Sequence, residues 1–328
     1  MTLAQELRDR LTLPAFVAPM FLCSGVDLAV ASCQAGLIGS LTRNHCRDLA
    51  ELETQLKAVS EALARFADTH SDHKIGPLAV NISPTFSTGE FRENLEVCAR
   101  YGTRIIVTSV GDPTVNAPVV RDAGLLHFHD ATTIRFAEKA AMAKVDGIVC
   151  IGAGGGGRAG TVSHLAFIPL VRAMFDGTIV MAGAVSTGAA IRAAEVLGAD
   201  LAYIGTRFIA TKESLAPNEY KAMLVEGGVT DVIYTPTVKG MPASWLKASL
   251  RRVGIDPDNL PPPPATSELP EGRTPWRDIW SGGQGLGLID DVPTVAELVS
   301  RLRAEYVAAC AVPDMAATAR VAAGSRRG

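Results

Sequence analysis

Residues 146–160 run Asp-Gly-Ile-Val-Cys-Ile-Gly-Ala-Gly-Gly-Gly-Gly-Arg-Ala-Gly, an apolar stretch that passes directly into a glycine-rich loop. Glycines 152, 154–157 and 160 remove the side chains that would hold a ligand off the main chain, so backbone N–H groups can approach a flat or anionic group. The chemistry this pattern points to is cofactor binding. Cys150, near the end of the apolar stretch, can face such a ligand, and Arg158 is the charged residue of the loop. Residues 152–157 also satisfy G-x-G-x-x-G, but they lie mid-chain, and the acidic residue about 20 positions on, Asp176, precedes the next apolar run instead of ending it. A dinucleotide-binding unit is therefore disfavoured, and the lack of a following Gly-Lys-Ser/Thr excludes a nucleotide P-loop.

Acid–base work needs a group that titrates near neutrality, and His129 in His127-Phe128-His129-Asp130 is the next candidate. The H-x-H spacing puts two imidazoles on one side of a strand, as in the metal pair of barrel hydrolases. Histidines 45, 70, 73 and 164 are not placed to complete such a shell, so no metal is assigned. His127 reads as a packed or hydrogen-bonded histidine, and His164, at a helix start just past the glycine loop, as a minor alternative base.

These residues need a scaffold. Short apolar runs recur at 16–20, 37–41, 77–82, 104–108, 124–128, 147–151, 178–182 and 201–205. Between them, segments such as 48–66, 131–144, 187–197 and 214–226 carry apolar residues at helical spacing. Strands alternating with helices predict an α/β fold, a (β/α)8 TIM barrel with a smaller C-terminal cap or second domain. The barrel occupies 1–226, a loop-rich cap with Pro236, Pro242, the 261–264 proline run and Pro270 occupies 227–292, a helix at 293–310 returns to the barrel, and 311–328 reads as a mobile tail. In such a barrel the site lies at the C-terminal strand ends, and the loops after strands seven and eight commonly bind phosphate. Gly183, Ala184, Gly205 and Thr206 fall there and form the expected phosphate cradle.

Composition narrows the partners. In the 328-residue chain, 31 Lys and Arg stand against 34 Asp and Glu, with no dense basic cluster or base-stacking aromatic pattern, which excludes nucleic acid and favours a small-molecule partner. Residues 1–10 are charged and lack an apolar signal core, and no later apolar run is long enough to span a bilayer. A cytoplasmic protein without a membrane partner is expected. Cysteines 23, 33, 46, 98, 150 and 310 are dispersed without any C-x-x-C pair, as buried reduced thiols are.

Several motifs occur in an order that resembles the nitronate monooxygenase family, formerly the 2-nitropropane dioxygenases. They are Ala18-Pro19-Met20, Asn81 at the end of the third run, Phe128-His129-Asp130 followed by Lys139, the loop 154–160, Ala182-Gly183-Ala184, Gly205-Thr206-Arg207-Phe208 and the segment 276–285. The resemblance covers roughly residues 13–310 and implies FMN on a barrel with a smaller second domain. It implies that Ala18, Pro19 and Met20 lie against the flavin ring, that Asn81 hydrogen-bonds near it, and that Lys139 helps hold the cofactor. Gly155 and Gly156 would let the loop approach FMN, Gly183, Ala184, Gly205 and Thr206 would take its phosphate, and Trp280, Ser281 and Gln284 would line or close the site.

One position departs from the family. Relatives read Ala-Gly-Gly-His in the loop, with the histidine as proton acceptor, whereas this chain has Arg158. A guanidinium, with a pKa above about 12, is no base at neutral pH but anchors a nitronate, carboxylate or enolate through charge-assisted hydrogen bonds. The resemblance thus implies an FMN-dependent oxidoreductase that oxidises a nitronate or related anionic carbon acid with dioxygen, with Arg158 and His129 as the site's working residues. Two alternatives stay open: a flavin enoyl-thioester reductase using NAD(P)H, and an FMN-binding barrel without turnover. A homo-oligomer is compatible with each.

Overall fold

The computed structural model describes residues 5–260 and 272–311. Eight parallel strands follow one another around a barrel: β1 (Ala15–Val17), β2 (Gly39–Thr42), β3 (Leu78–Asn81), β4 (Thr103–Thr108), β5 (Leu126–Ala131), β6 (Gly147–Ile151), β7 (Thr178–Ala182) and β8 (Leu201–Ile204). β1 pairs with β8, and the β1–β2 seam is closed by a bridge between Phe16 and Ile38. There Val17 N donates to Ile38 O over 2.9 Å and Ile38 N to Ala15 O over 3.2 Å. The expected (β/α)8 barrel is the observed fold.

Side chains alternate across each strand, which sorts the sequence into two layers. Phe16, Ile38, Ala79, Val107, Phe128, Val149, Val180 and Tyr203 pack inside the barrel. Leu41, Val80 and Ile106, and on the other half Ile148, Cys150, Ile179 and Ala202, face the surrounding helices. Leu7 of the short helix Gln5–Asp9 and Leu11 join the inner cluster and cover the barrel's N-terminal end.

Helix starts follow local capping chemistry. Asp48 caps Leu49–Thr69, Thr187 caps Gly188–Leu197, and Thr294 forms a capping box with Glu297 at the head of Val295–Cys310. This last helix returns to the barrel, burying Val295, Leu298, Val299 and Leu302 in the core shared with Ile191 and Ala194. A Cβ on Gly188 would collide with the carbonyl of Leu302, so glycine is what lets the two helices meet.

Element boundaries move where turn chemistry decides them. β5 begins two residues later than the run at 124–128, because Gly124, at φ 71°, still belongs to the turn leaving helix Asn116–Asp122. β1 stops at Val17, just before Pro19, which has no N–H for the ladder. The segment 214–226 becomes helical only from Asn218, after Pro217. Within 227–292 the cap contains an antiparallel hairpin, β9 (Val232–Thr235) with β10 (Ala243–Leu246), and helix Lys247–Arg252. The prolines at 261–264 and 270, and the tail expected at 311–328 beyond Ala311, lie outside the described residues. Among the described residues no helix is long and apolar enough to cross a membrane.

Candidate active site

A cavity of about 670 Å³ opens at the C-terminal strand ends, within the range of roughly 300–1,000 Å³ typical of small-molecule and cofactor sites. It brings together Ala18, Pro19 and Met20 after β1, Asn81 of β3, Gly155, Gly156 and Arg158 after β6, Gly183 and Ala184 after β7, Gly205 and Thr206 after β8, and Ser281 of the C-terminal segment. His129, Lys139, Cys150, Trp280 and Gln284 are not among the described residues that line it.

Each of these five has a physical reason for its place. Cys150 points outward from β6 into the helix layer, and the inward neighbour Ile151 meets the cavity. His129 likewise faces outward from β5. Its Nδ1 and His127 Nε2 each lie 2.7 Å from the Thr108 hydroxyl, and burial lowers their pKa values to about 4 and about 3. Lys139 sits on helix Ile134–Met142, where its charge acts on Asp112. Trp280 stacks on Tyr220 at 4.9 Å and carries the Arg252 guanidinium 3.8 Å from its ring centre. Gln284 stands behind the glycine loop, its backbone N–H donating to Gly154 O over 2.9 Å. His164 is tied to Ala182 O at 2.8 Å and bears on the β7 end.

The cavity floor is polar, through residues that sequence spacing alone did not select. Asp130, inward on β5, accepts the Ser109 hydroxyl at Oδ2 over 2.7 Å, while its Oδ1 is enclosed without a partner. Asn81 donates to Ser109 Oγ over 3.2 Å and to Val107 O over 3.1 Å. The Tyr203 hydroxyl and Thr42 Oγ1 are also enclosed without partners. Burial pushes the Asp130 carboxyl up to about 6, against the opposing pull of the Ser109 hydrogen bond and the Arg158 charge. Burial, with the Asp130 charge, raises Tyr203 well above the ordinary phenol range. Burial lowers the Arg158 pKa, an effect that Asp130 offsets.

At the mouth, two cations lie near the Trp276 ring. The Arg158 guanidinium is 6.0 Å and the Lys239 ammonium 4.6 Å from its ring centre. The cap fixes this corner to the glycine loop. Ser244 N donates to Gly157 O over 2.8 Å, Tyr234 OH to Ala159 O over 2.9 Å, and Gly283 N to Thr206 Oγ1 over 3.0 Å.

The residues of the expected cradle lie on the loops after β7 and β8. Gly183, at φ 120°, and Ala184, at φ 56°, both take positive φ in the turn after β7, and a short helix, Thr206–Ile209, starts at the β8 end. No hydrogen bond among the described residues occupies the N–H groups of Gly183, Ala184, Gly205 or Thr206.

A profile of the nitronate monooxygenase family matches residues 8–257, which contain the whole barrel. The chain belongs to the nitronate monooxygenase family. It is 26% identical over 242 residues to the (3aS,4S,5R,7aS)-5-hydroxy-7a-methyl-1-oxo-octahydro-1H-indene-4-carboxyl-CoA dehydrogenase of Mycobacterium tuberculosis, a match that covers 72% of this chain and 64% of that protein. To a nitronate monooxygenase of Paraburkholderia phytofirmans it is 28% identical over 208 residues, 57% of this chain and 56% of the other. The chain spans about half to two thirds of the length of the curated relatives it matches. The nitroalkane oxidase structure from Streptomyces ansochromogenes superposes with a TM-score of 0.74 at 23% identity, covering 93% of this chain and 99% of the other. FabK from Thermotoga maritima gives 0.73 at 22% identity, with 94% and 98% coverage. These structures share the barrel fold.

Proposed function

We propose that the protein is an FMN-dependent oxidoreductase that oxidises a nitronate or a related anionic carbon acid with dioxygen. The observation that carries this reading is the cavity itself: unoccupied amides at the β7 and β8 ends suit a phosphate, and Arg158 shares the same space. The enclosed, unpartnered Tyr203 hydroxyl, Thr42 Oγ1 and Asp130 Oδ1 suit the polar edge of a ring or substrate. Gly183, Ala184, Gly205 and Thr206 would hold the FMN phosphate, and Gly155, Gly156, Ala18, Pro19, Met20, Asn81 and Ser281 would border the ring. Bound FMN would supply the electron acceptor for the substrate and the donor for dioxygen. Arg158 holds the substrate anion by charge-assisted hydrogen bonds, and the cap hairpin fixes the loop that carries it. Five of the six cysteines are buried free thiols, in keeping with a reducing cytoplasmic setting.

A flavin enoyl-thioester reductase is the second reading. The carboxyl-CoA dehydrogenase relative favours it, as do the two cations near Trp276 at the mouth, which suit a phosphate-bearing thioester. Anaerobic mixing of the FMN-loaded protein with ethylnitronate, and separately with NADPH and an unsaturated thioester, decides between them. Bleaching of the flavin by nitronate alone is the expected result; bleaching by NADPH alone selects the reductase.

A further inference from the structure

Oxidation of a carbon acid as its anion requires either a preformed anion or a base that makes one. Arg158 is no base, and the imidazoles of His127, His129 and His164 are engaged away from the cavity. Among the described lining residues, the remaining titratable groups are Cys23, Asp130, Tyr203, Tyr220 and Lys239. Burial pushes the Cys23 thiol up to about 12 and also raises both phenols, while Lys239, its pKa lowered by burial and by the Arg158 charge, sits out at the mouth beside the Trp276 ring. Among the described lining residues, Asp130 is the one carboxylate.

We propose that Asp130 is the proton acceptor of this site, removing the α-proton of a neutral carbon acid whose anion Arg158 then holds. The proposal rests on the functional reading above and extends its substrate class from preformed anions to neutral carbon acids. Ser109 occupies Oδ2 and fixes the carboxylate plane, which leaves Oδ1 as the free basic oxygen. The substrate C–H bond breaks, an O–H bond forms at Oδ1, and the electron pair stays on the substrate, spread over its nitro or carbonyl oxygens. The cavity's net charge is unchanged, because the negative charge moves from Asp130 to the substrate while Arg158 remains the counter-ion. An enclosed site favours such a transfer over one that creates new charge. The groups facing Asp130 are Ser109 just after β4, Arg158 from the loop after β6 and Tyr203 from β8. Burial raises its pKa toward neutrality, where a carboxylate is a more effective base.

The test is solvent-deuterium exchange at the α-carbon of nitroethane, followed by NMR with the FMN-loaded protein and paired with anaerobic flavin reduction by preformed ethylnitronate. Wild type should exchange faster than the buffer blank, with a rate that rises through one ionisation near 6. Asp130→Asn should lose about 100-fold or more of that exchange, a larger loss than any in the reduction of its flavin by ethylnitronate. Exchange by Asp130→Asn at the wild-type rate, or wild-type exchange no faster than buffer, overturns the proposal. Flavin reduction by nitronate without exchange would sink Asp130 and leave the oxidoreductase reading standing; exchange without flavin reduction would do the reverse. If Asp130→Asn does not fold, Ser109→Ala decides, because loss of its hydrogen bond must move the exchange profile to higher pH; an unmoved profile overturns the proposal.

Discussion

Ser109 at the end of β4 and Asp130 on β5 are joined across neighbouring strands, the serine hydroxyl donating to Oδ2 over 2.7 Å while the Asn81 amide donates to that hydroxyl's oxygen over 3.2 Å. The Asn81 → Ser109 → Asp130 chain fixes the carboxylate and stabilises its ionised form, because the donor is worth more to the charged acceptor than to the neutral one. The buried acid is therefore held at about 6 against a stronger upward push from burial.

Ser109→Ala should raise the Asp130 pKa further. The acidic limb of the pH–rate profile for neutral carbon acids should move alkaline, with the high-pH plateau changed less than the midpoint. A Ser109→Thr variant, which keeps the donor, should restore the original midpoint. Rates measured across pH 5–9 give both comparisons.

Asp130 also makes the fold sensitive to pH. Its folded pKa of about 6 lies above the ordinary aspartate value of 3.8, so the ionised carboxylate destabilises the fold at neutral pH, and that penalty fades as pH falls through the folded value. At 1.36 kcal/mol per unit, Asp130→Asn should gain up to about 3 kcal/mol at pH 8. The gain should shrink toward zero near pH 4. Urea unfolding of both proteins at the two pH values measures it; a gain that grows on acidification contradicts the assignment.

The parts of the site legible in the sequence are those built from consecutive residues. The glycine loop and the 182–184 and 204–206 turns sit at strand ends, so apolar runs of the right length located them. His129 and Asp130 were harder, because their facing depends on strand register. A strand ending at Phe128 leaves both in a loop, whereas β5 runs to Ala131, and alternation turns Asp130 inward and His129 outward. The same parity sends Cys150 to the helix layer. Lys239 and Trp276 reach the mouth because non-local pairing, Ser244 with Gly157, folds the cap onto the loop. No local spacing encodes that contact.

Cofactor retention should depend on the cradle's backbone. Gly183 holds φ 120°, and a Cβ there would lie 3.0 Å from Gly155 N, so Gly183→Val should strain the β7 turn and push it against the glycine loop. In Gly156→Val the Cβ would lie 2.9 Å from Gly283 N and 3.1 Å from Thr206 Oγ1, which would separate the loop from the C-terminal segment. Both variants should purify with FMN occupancy at least about tenfold lower, about 1.4 kcal/mol of binding. The flavin-to-protein absorbance ratio, before and after adding FMN, reports the loss. Gly254→Ala is the control: it carries a positive φ of 81° but has open space around its Cβ, so any strain there should leave FMN binding unchanged.

Arg158 is the charged residue of the glycine loop, and its substitutions separate anion holding from proton transfer. Arg158→Ala removes the counter-ion, so binding of nitronates should weaken by about 1.5–3 kcal/mol, the worth of a charge-assisted hydrogen bond. Its charge also lowers the Asp130 pKa, so the same variant should shift the acidic limb alkaline, in the direction of Ser109→Ala but with a higher KM as well. Arg158→His puts an imidazole, with an ordinary pKa of about 6.5, at this position of the loop. Placed in the Asp130→Asn background, it should rescue α-proton exchange of nitroethane above that pH, because a neutral imidazole then faces the substrate. Rescue would mean that the two positions exchange the base between them. A double variant that stays inactive while binding nitronate normally would instead mean that position 158 cannot reach the α-proton.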